Sequence, residues 1–466
     1  MDLEKAKTIH FLGIGGCGMS AIAKILHEMG KTVQGSDLKE SSNTIRLKDV
    51  GIKVFIGHDE PNIRGADIIV YSSAIPKDNV EFAAAKASRI KLLARADALS
   101  YILDQFPTRI SVAGTHGKTT TTSMISTMLQ RGGLNPTYVI GAEADTVDGN
   151  AKLGNSHFAV AEADESDGSF LKLHPTISVI TNIEADHMDY YKTMDKLVDT
   201  FTLYALSVPK DGVLIVNSDQ ENNRHLIDKL SGERRFILCG FNDKALIRAA
   251  KVVFNPWTTT FEVTHKGEVL GDISLSVPGM QNVGNALLAV AVGLEVGLPF
   301  SSIRDGLGYF AGVKRRFQLI GNFAGITVID DYAHHPTEIL ATLSAARLNF
   351  PDKRIICVFQ PHRYTRTMYL HHEFGKAFKD ADIAVIAGIY SAGEDPIEGV
   401  SAKLIYDSAK RHSDKEVHYI PRKEKIVEFL LKNARENDMI ITAGAGDIHT
   451  VGKEFLTRSR EKPSNG

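Results

Sequence analysis

The run Gly114-Thr115-His116-Gly117-Lys118-Thr119 has the residue types needed to hold a polyphosphate. Glycines let backbone N–H groups close on phosphate oxygens, the Lys118 ammonium can reach the β and γ oxygens, and the Thr119 hydroxyl can ligate Mg2+. Thr120 continues the run into a helix. The spacing is shorter than the usual lysine loop, whose first glycine would fall on Val112. Further along, Ala161-Glu162-Ala163-Asp164-Glu165-Ser166-Asp167 offers a cluster of carboxylates, hard oxygen ligands that suit Mg2+. By residue type both Glu162 and Glu165 qualify. Asn182-Ile183-Glu184-Ala185-Asp186-His187 follows the next strand, and beside a metal loop His187 becomes a candidate ligand.

A second glycine-rich turn, Gly13-Ile14-Gly15-Gly16-Cys17-Gly18, also follows a strand and opens a helix. Such a turn brings a diphosphate against the free N–H groups of the helix start. Asp37 stands at the end of the second strand, where a dinucleotide fold places its ribose-binding acid. The motif does not separate a nicotinamide cofactor from a nucleotide sugar. Near the other end of the chain, Asp330-Asp331-Tyr332-Ala333-His334-His335-Pro336 and Pro361-His362-Arg363-Tyr364-Thr365-Arg366 each end a strand. Arginines and histidines at such strand ends suit capture of a carboxylate or phosphate by charge-assisted hydrogen bonds.

Positioning all these groups requires strands that end together. Short apolar runs alternate with helical stretches nearly throughout, which predicts an α/β protein with mostly parallel sheets. The first block has strands at 9–13, 32–35, 54–56 and 68–71, with a helix from Met19 to Met29 that Gly30 stops. The second has strands at 110–113, 158–161, 177–181 and 213–217, a helix from Thr120 to Gln130, and antiparallel hairpins between Lys251 and Val277. The third has strands at 327–330, 354–359, 383–387, 417–419 and 439–443, a doubly wound pattern. Boundaries near 108 and 314 follow, giving segments 1–108, 109–314 and 315–466, with a polar, fraying tail at 458–466.

Composition narrows the class. Of 466 residues 43% are hydrophobic and 24% charged, values of a globular chain rather than a disordered or fibrous one. Lys+Arg 54 against Asp+Glu 56 leaves no basic excess for a phosphate backbone, so nucleic acid is not an expected partner. Cys17, Cys239 and Cys357 have no metal or disulfide spacing, as in a reducing cytosol. The start MDLEKAKTIHFLGIGG does not read as a signal peptide, and the apolar helix 286–298, interrupted by Glu295, is too short to span a bilayer. A cytoplasmic protein without a membrane partner is expected.

The ordered strings GIGGCGM at 13–19, AGTHGKTTTT at 113–122, AEADESD at 161–167, TNIEADHMDYY at 181–191, GVKRRF at 312–317, DDYAHHPTEI at 330–339 and FQPHRYTRT at 359–367 together resemble the Mur ligase family of ATP-dependent amide-forming enzymes. The resemblance implies a Rossmann-like N-terminal domain for a UDP-substrate, a central P-loop ATPase-type domain and a Rossmann-like C-terminal domain for an amino acid. It implies ATP and Mg2+ as cofactors, UDP-N-acetylmuramate and L-alanine as substrates, a place in peptidoglycan synthesis, and a monomer or weak homodimer. On this resemblance Gly15, Gly16, Gly18, Met19, Asp37, Ser72 and Ser73 contact the UDP-substrate. Gly114 to Thr120 hold ATP; Lys118 meets the γ-phosphate, Thr119 and Glu162 one Mg2+, and His187 a second, with Glu165 the alternative because Glu162 lies nearer the strand end. Asn282 and Asn285 match an adenine-contacting segment whose usual histidine is Gln281 here. Arg316, Asp330 and Asp331 complete the ATP side; Tyr332, His334, His362, Arg363 and Arg366 take the amino acid. Lys118 and Arg316 offset developing charge and His334 accepts the proton of the incoming amine. Thr202 stands near where some sister enzymes carry a carbamylated lysine. A family member that attaches a whole tripeptide to the same UDP-sugar is the near alternative, and an NAD-dependent oxidoreductase is the alternative outside the family.

Overall fold

Strand β1 (Thr8–Leu12, TIHFL) is β-branched or apolar at most positions, and its last four residues are buried, as expected of a parallel strand covered on both faces. In the computed structural model, which describes residues 3–461 except 73, 145–148 and 413, it is the centre of a five-stranded parallel sheet. With β2 (Thr32–Asp37), β3 (Lys53–Ile56), β4 (Ile68–Tyr71) and β5 (Lys91–Ala94), the order is β3-β2-β1-β4-β5. Strand order reverses beside β1, so the glycine turn after β1 opens at the crevice where such sheets bind ligands. Helix α1 (Cys17–Glu28) starts two residues before the expected Met19 and ends at Met29, with Gly30 at φ +87° just beyond.

The second sheet has ten strands: β6 (Thr108–Ala113), β7 (Thr137–Ala144), β8 (Gly149–Lys152), β9 (Phe158–Glu162), β10 (Ile177–Ile180), β11 (Val213–Asn217), β12 (Phe236–Gly240), β13 (Ile247–Asn255), β14 (Thr258–His265) and β15 (Glu268–Leu275). Their order is β15-β14-β13-β12-β11-β10-β6-β9-β7-β8. β6 lies between β10 and β9, both parallel to it, so the ends of all three converge. Two-residue connections join β13 to β14 and β14 to β15, as expected for the hairpins. The apolar helix runs over Met280–Glu295, so Glu295 closes it rather than interrupting it.

A third sheet holds β16 (Gln318–Phe323), β17 (Ile326–Asp331), β18 (Arg354–Phe359), β19 (Ile383–Ile386), β20 (Glu416–Tyr419) and β21 (Asp438–Ala443), ordered β16-β17-β21-β18-β19-β20. All pairs are parallel except β16 with β17. The antiparallel edge strand β16 escapes a reading of apolar runs because Gly321 and a register shift break its alternation. Residues 458–461, expected to fray, belong to the helix His449–Glu461; 462–466 lie outside the described residues.

The chain folds as two compact units. The first comprises Met1–Ala250, Glu262–Ile273 and Gly284–Phe310; the second comprises Lys251–Phe261, Ser274–Val283 and Ala311–Gly466. In the second unit the turn bearing Trp257 packs on Phe350 and Phe317, with ring centroids at 4.9 and 6.4 Å. Asn349 Nδ2 donates to the carbonyls of Asn255 (2.7 Å) and Thr258 (2.9 Å). Among the described residues no helix is long and apolar enough to cross a membrane.

Candidate active site

The lysine loop leaves β6 and is fastened by the segment that leaves β10. Asn182 Oδ1 accepts from His116 N (2.8 Å), Thr181 Oγ1 donates to His116 O (2.6 Å), and Glu184 N donates to Thr115 Oγ1 (2.9 Å). Gly114 has φ +134°, and a Cβ there would stand 2.0 Å from Thr181 Oγ1. Gly117 has φ +83°, and its missing Cβ makes room for Asn285 Oδ1, 2.7 Å from where that atom would be. The loop therefore needs glycine at both points. Helix α5 (Lys118–Arg131) begins at Lys118 itself, so Lys118, Thr119 and Thr120 form its first turn, where N–H groups lack intrahelical partners.

Lys118 Nζ donates to Gly114 O (2.6 Å) and Thr115 O (3.2 Å) and pairs with Glu165 at 2.8 Å. Burial by itself would lower the lysine's pKa, but the Glu165 and Asp164 carboxylates reverse that and keep it charged. Glu165 is pushed up by burial in spite of Lys118. Glu162, at the end of β9, instead receives the Thr119 hydroxyl at 3.2 Å. Its other oxygen accepts from Gly141 N on β7, and a Cβ on Gly141 would stand 2.6 Å from the carboxylate. Two hard oxygens thus face each other at Thr119 and Glu162, a donor set that fits Mg2+, whereas Glu165 is committed to the lysine. His187 has φ +54° and its Nε2 lies 3.7 Å from Asp186 Oδ2.

At the first glycine turn, Gly13 N and Ile14 N donate to Ser36 O (2.9 and 3.0 Å), and Gly15 N donates to Asp37 Oδ2 (2.9 Å). Asp37 thus holds the turn, a positioning role that its place at a strand end did not reveal. Met19 is 2% exposed and its side chain belongs to the core. Ser72 Oγ accepts from Ala74 N (3.3 Å); Ser73 lies outside the described residues.

In the second unit Asp330 and Asp331 end β17 as buried groups. Asp330 accepts from Arg315 Nε (3.0 Å) and Thr442 Oγ1 (2.9 Å); Asp331 accepts from Phe317 N (2.9 Å) and Ala333 N (2.7 Å). Both acids therefore fasten the Arg315–Phe317 corner. Burial, only partly offset by Arg316, pushes Asp331 up to about 6. Arg316 lies over the Tyr332 ring and 3.4 Å from Glu338 Oε1. His334 Nδ1 is 2.9 Å from Tyr332 O and 3.2 Å from Glu338 Oε2, both acceptors, so this nitrogen carries a proton. His362 stacks on Tyr390 at 5.8 Å, and its Nδ1 accepts from Arg366 Nη1 (3.2 Å). Arg363 has φ +72°, a strained backbone held by its N–H to Tyr390 O (2.8 Å), and its Nε lies 4.0 Å from Glu394. The structure thus brings Tyr332, His334 and His362 together, with ring centroids 5.2 and 5.9 Å apart in sequence, and Arg366 beside them. Asn282 donates to Pro278 O (2.8 Å) at the start of its helix.

Several positioning residues escaped the sequence reading: Gly141, Arg315, Glu338, Tyr390 and Glu394. Only Glu338 had a local signal. It stands three residues after His335 with Pro336 between, a capping-box spacing, and it accepts from the N–H groups of His334 (2.9 Å) and His335 (3.2 Å).

A parallel sheet carrying a lysine loop, with a facing acid at the next strand end and a second glycine turn on a neighbouring sheet, defines a nucleotide-phosphate-binding α/β enzyme. Comparison with known proteins is more specific. Residues 8–107 match the Mur ligase family catalytic domain, 112–293 the Mur ligase middle domain, and 315–446 the Mur ligase glutamate ligase domain. UDP-N-acetylmuramate--L-alanine ligase of Pelotomaculum thermopropionicum is 46% identical over 466 residues, covering 100% of both chains, and that of Geotalea daltonii is 45% identical over 98% of this chain and 99% of its own. The crystal structure of UDP-N-acetylmuramate-alanine ligase from Thermotoga maritima superposes with a TM-score of 0.82 at 30% identity, covering 97% of this chain and 99% of that one. A murein peptide ligase from Psychrobacter arcticus shares the fold, with a TM-score of 0.72 at 24% identity over 97% and 98% of the two chains. The chain belongs to the Mur ligase family.

Proposed function

We propose that this chain joins L-alanine to the lactyl carboxylate of UDP-N-acetylmuramate at the expense of ATP, releasing ADP and phosphate, in peptidoglycan synthesis. The observation that carries the reading is the lysine loop, with Lys118 charged and Thr119 facing Glu162. Full-length likeness to L-alanine ligases directs the choice of substrate. The roles of segments 1–108, 109–314 and 315–466 follow the same reading: UDP-substrate, ATP and amino acid.

A carboxylate does not acylate an amine at neutral pH. Transfer of the γ-phosphoryl group of ATP to a carboxylate oxygen, with ADP leaving, gives an acyl phosphate. The alanine nitrogen then adds to the carbonyl carbon, and the tetrahedral adduct expels phosphate. Lys118 offsets the charge that builds on the transferring group, and the N–H groups of the loop hold the phosphates. Thr119 and Glu162 would hold Mg2+, with His187 in reach of a second; the cation supplies charge neutralisation between two anions. His334 accepts the proton of the amine through Nε2, and Arg363 and Arg366 hold the amino-acid carboxylate. Arg316 offsets the charge that develops during transfer. On this reading the enzyme acts in the cytoplasm, as a monomer or weak homodimer.

Phosphate release is measured with ATP, Mg2+, UDP-N-acetylmuramate and L-alanine, omitting one component at a time. Release that requires all four supports the reading. Release with a tripeptide but not with L-alanine would assign the recycling activity, and NAD(H) binding without UDP-sugar binding would overturn the reading altogether.

A further inference from the structure

Arg95 has no place in the scheme above, yet it stands against both the glycine turn and the acid run after β9. It is the first residue of helix α4 (Arg95–Leu103), which follows β5 directly. β5, β4 and β1 are successive parallel neighbours, so Arg95 leaves the sheet at the same edge as the glycine turn. A Cβ built on Gly18 would lie 2.7 Å from Arg95 Nη1, which shows that the guanidinium occupies the space over the first turn of α1 that glycine leaves open. The other terminal nitrogen, Nη2, donates to Asp164 Oδ2 at 2.6 Å. Asp164 immediately precedes Glu165, the partner of Lys118, so the guanidinium is linked through one peptide unit to the ATP-type lysine. Arg95 and Asp164 side chains remain 31% and 38% exposed, so a ligand can reach both.

A cation at the first position of a helix opposes the helix dipole, so Arg95 is not there for the benefit of α4. Its backbone is fixed independently: the Asp97 carboxylate accepts from Ala94 N (2.9 Å). A guanidinium bound to Asp164 through Nη2 keeps further N–H donors with which to take an anion, beside helix-start N–H groups that lack intrahelical partners.

We propose that Arg95 is a substrate-binding residue of the glycine-turn site: its guanidinium receives the anionic part of the UDP-sugar lying over α1, and Asp164 orients it. The inference rests on the reading that this turn binds UDP-N-acetylmuramate. The anion can be the diphosphate or the lactyl carboxylate, and both suit a forked donor.

Calorimetry on the full chain measures Kd for UDP-N-acetylmuramate, UDP and ATP with wild type, Arg95→Gln, Arg95→Lys and Asp164→Asn, together with KM for each substrate. Wild-type binding of the UDP-sugar is established first; its absence would sink the substrate reading before any variant is compared. Arg95→Gln is expected to raise Kd and KM for the UDP-sugar at least about tenfold, the loss of one charge-assisted contact, while Kd for ATP stays within about twofold. Arg95→Lys should restore part of the affinity, and Asp164→Asn should lose less than Arg95→Gln. A parallel loss for UDP locates the contact at the diphosphate; a loss confined to the full substrate locates it at the carboxylate. Unchanged UDP-sugar affinity in Arg95→Gln, or equal losses for UDP-sugar and ATP, would overturn the proposal and leave the pair as a structural tie.

Discussion

Lys118 Nζ lies 2.8 Å from Glu165 Oε2, and the glutamate side chain is only 2% exposed. The lysine is thus held by a buried carboxylate. Phosphate oxygens must compete with Glu165 for the ammonium.

Lys118→Ala should therefore abolish ligation while leaving the fold intact. Removing a contact to charge that develops during transfer costs ~10²–10³ in rate. Phosphate release by a variant with a native circular dichroism spectrum checks this, and near-normal turnover would refute the ATP assignment.

Glu165→Gln should have a different signature. The amide keeps the shape but takes from a buried ammonium its nearest countercharge, so thermal stability of the nucleotide-free protein should fall by about 1–3 kcal/mol. An ATP analogue, which supplies negative charge of its own, should restore more stability to the variant than to the wild type. Equal protection by the analogue in both proteins would contradict the competition.

Gly117→Ala tests the loop geometry separately from its charge. At φ +83°, with Asn285 Oδ1 2.7 Å from the new Cβ, alanine strains the backbone and displaces the asparagine. ATP affinity should drop with UDP-sugar affinity unchanged, as read by calorimetry with each ligand.

Two buried carboxylates should shape the pH dependence of stability in opposite ways. Glu81 is fully buried and accepts from Ser36 Oγ (2.6 Å), Asn62 Nδ2 (2.7 Å) and Asp59 N (3.0 Å), with His10 Nε2 at 2.9 Å. Burial would raise its pKa, but these bonds, His10 foremost, bring it down to about 2 from 4.5. Its contribution is present above pH 4.5 and disappears as pH falls through about 2. Asp331 is raised from 3.8 to about 6, chiefly by burial, so its contribution is full below pH 3.8 and is lost as pH rises through about 6. Urea unfolding between pH 3 and pH 8 should show Glu81→Gln destabilised most at neutral pH, by roughly 2–4 kcal/mol. Asp331→Asn should flatten the fall in stability between pH 4 and pH 6. A variant that kept the wild-type slope in that window would contradict the Asp331 assignment.

Trp257 is the one tryptophan of the chain, and it belongs to the second unit. Its emission should report the unfolding of that unit. Asn349→Ala leaves the carbonyls of Asn255 and Thr258 without their donor and should lower that transition by about 1–3 kcal/mol. An unshifted emission midpoint would show the contacts to be dispensable.

Much of this molecule is written locally. The two glycine turns, the acid run after β9 and the His/Arg clusters after β17 and β18 can be placed from sequence because each follows a buried apolar run, and a parallel strand has to end where a loop begins. The family was legible for the same reason: the motifs are contiguous strings. Elements without a local pattern were not. β5 is four residues long, β7 carries Gly141 in its middle, and β16 shifts register at Gly321, so hydrophobic periodicity hardly marks them.

Which residue of a cluster does which task was decided only by packing. Glu162 and Glu165 are indistinguishable by type, three positions apart on the same run. Their roles diverge because the end of β9 turns one toward Thr119 and the other toward Lys118. Asp37, Asp330 and Asp331 stand at strand ends, and only the packing shows that their oxygens fasten backbone N–H groups and Arg315. Arg95, distant in sequence from both loops it touches, had no signal at all. Sequence pattern records the strands and turns because those are set by neighbours along the chain. The direction of a carboxylate is set by whichever donor another strand delivers to it, and that depends on strand order, which no local pattern encodes.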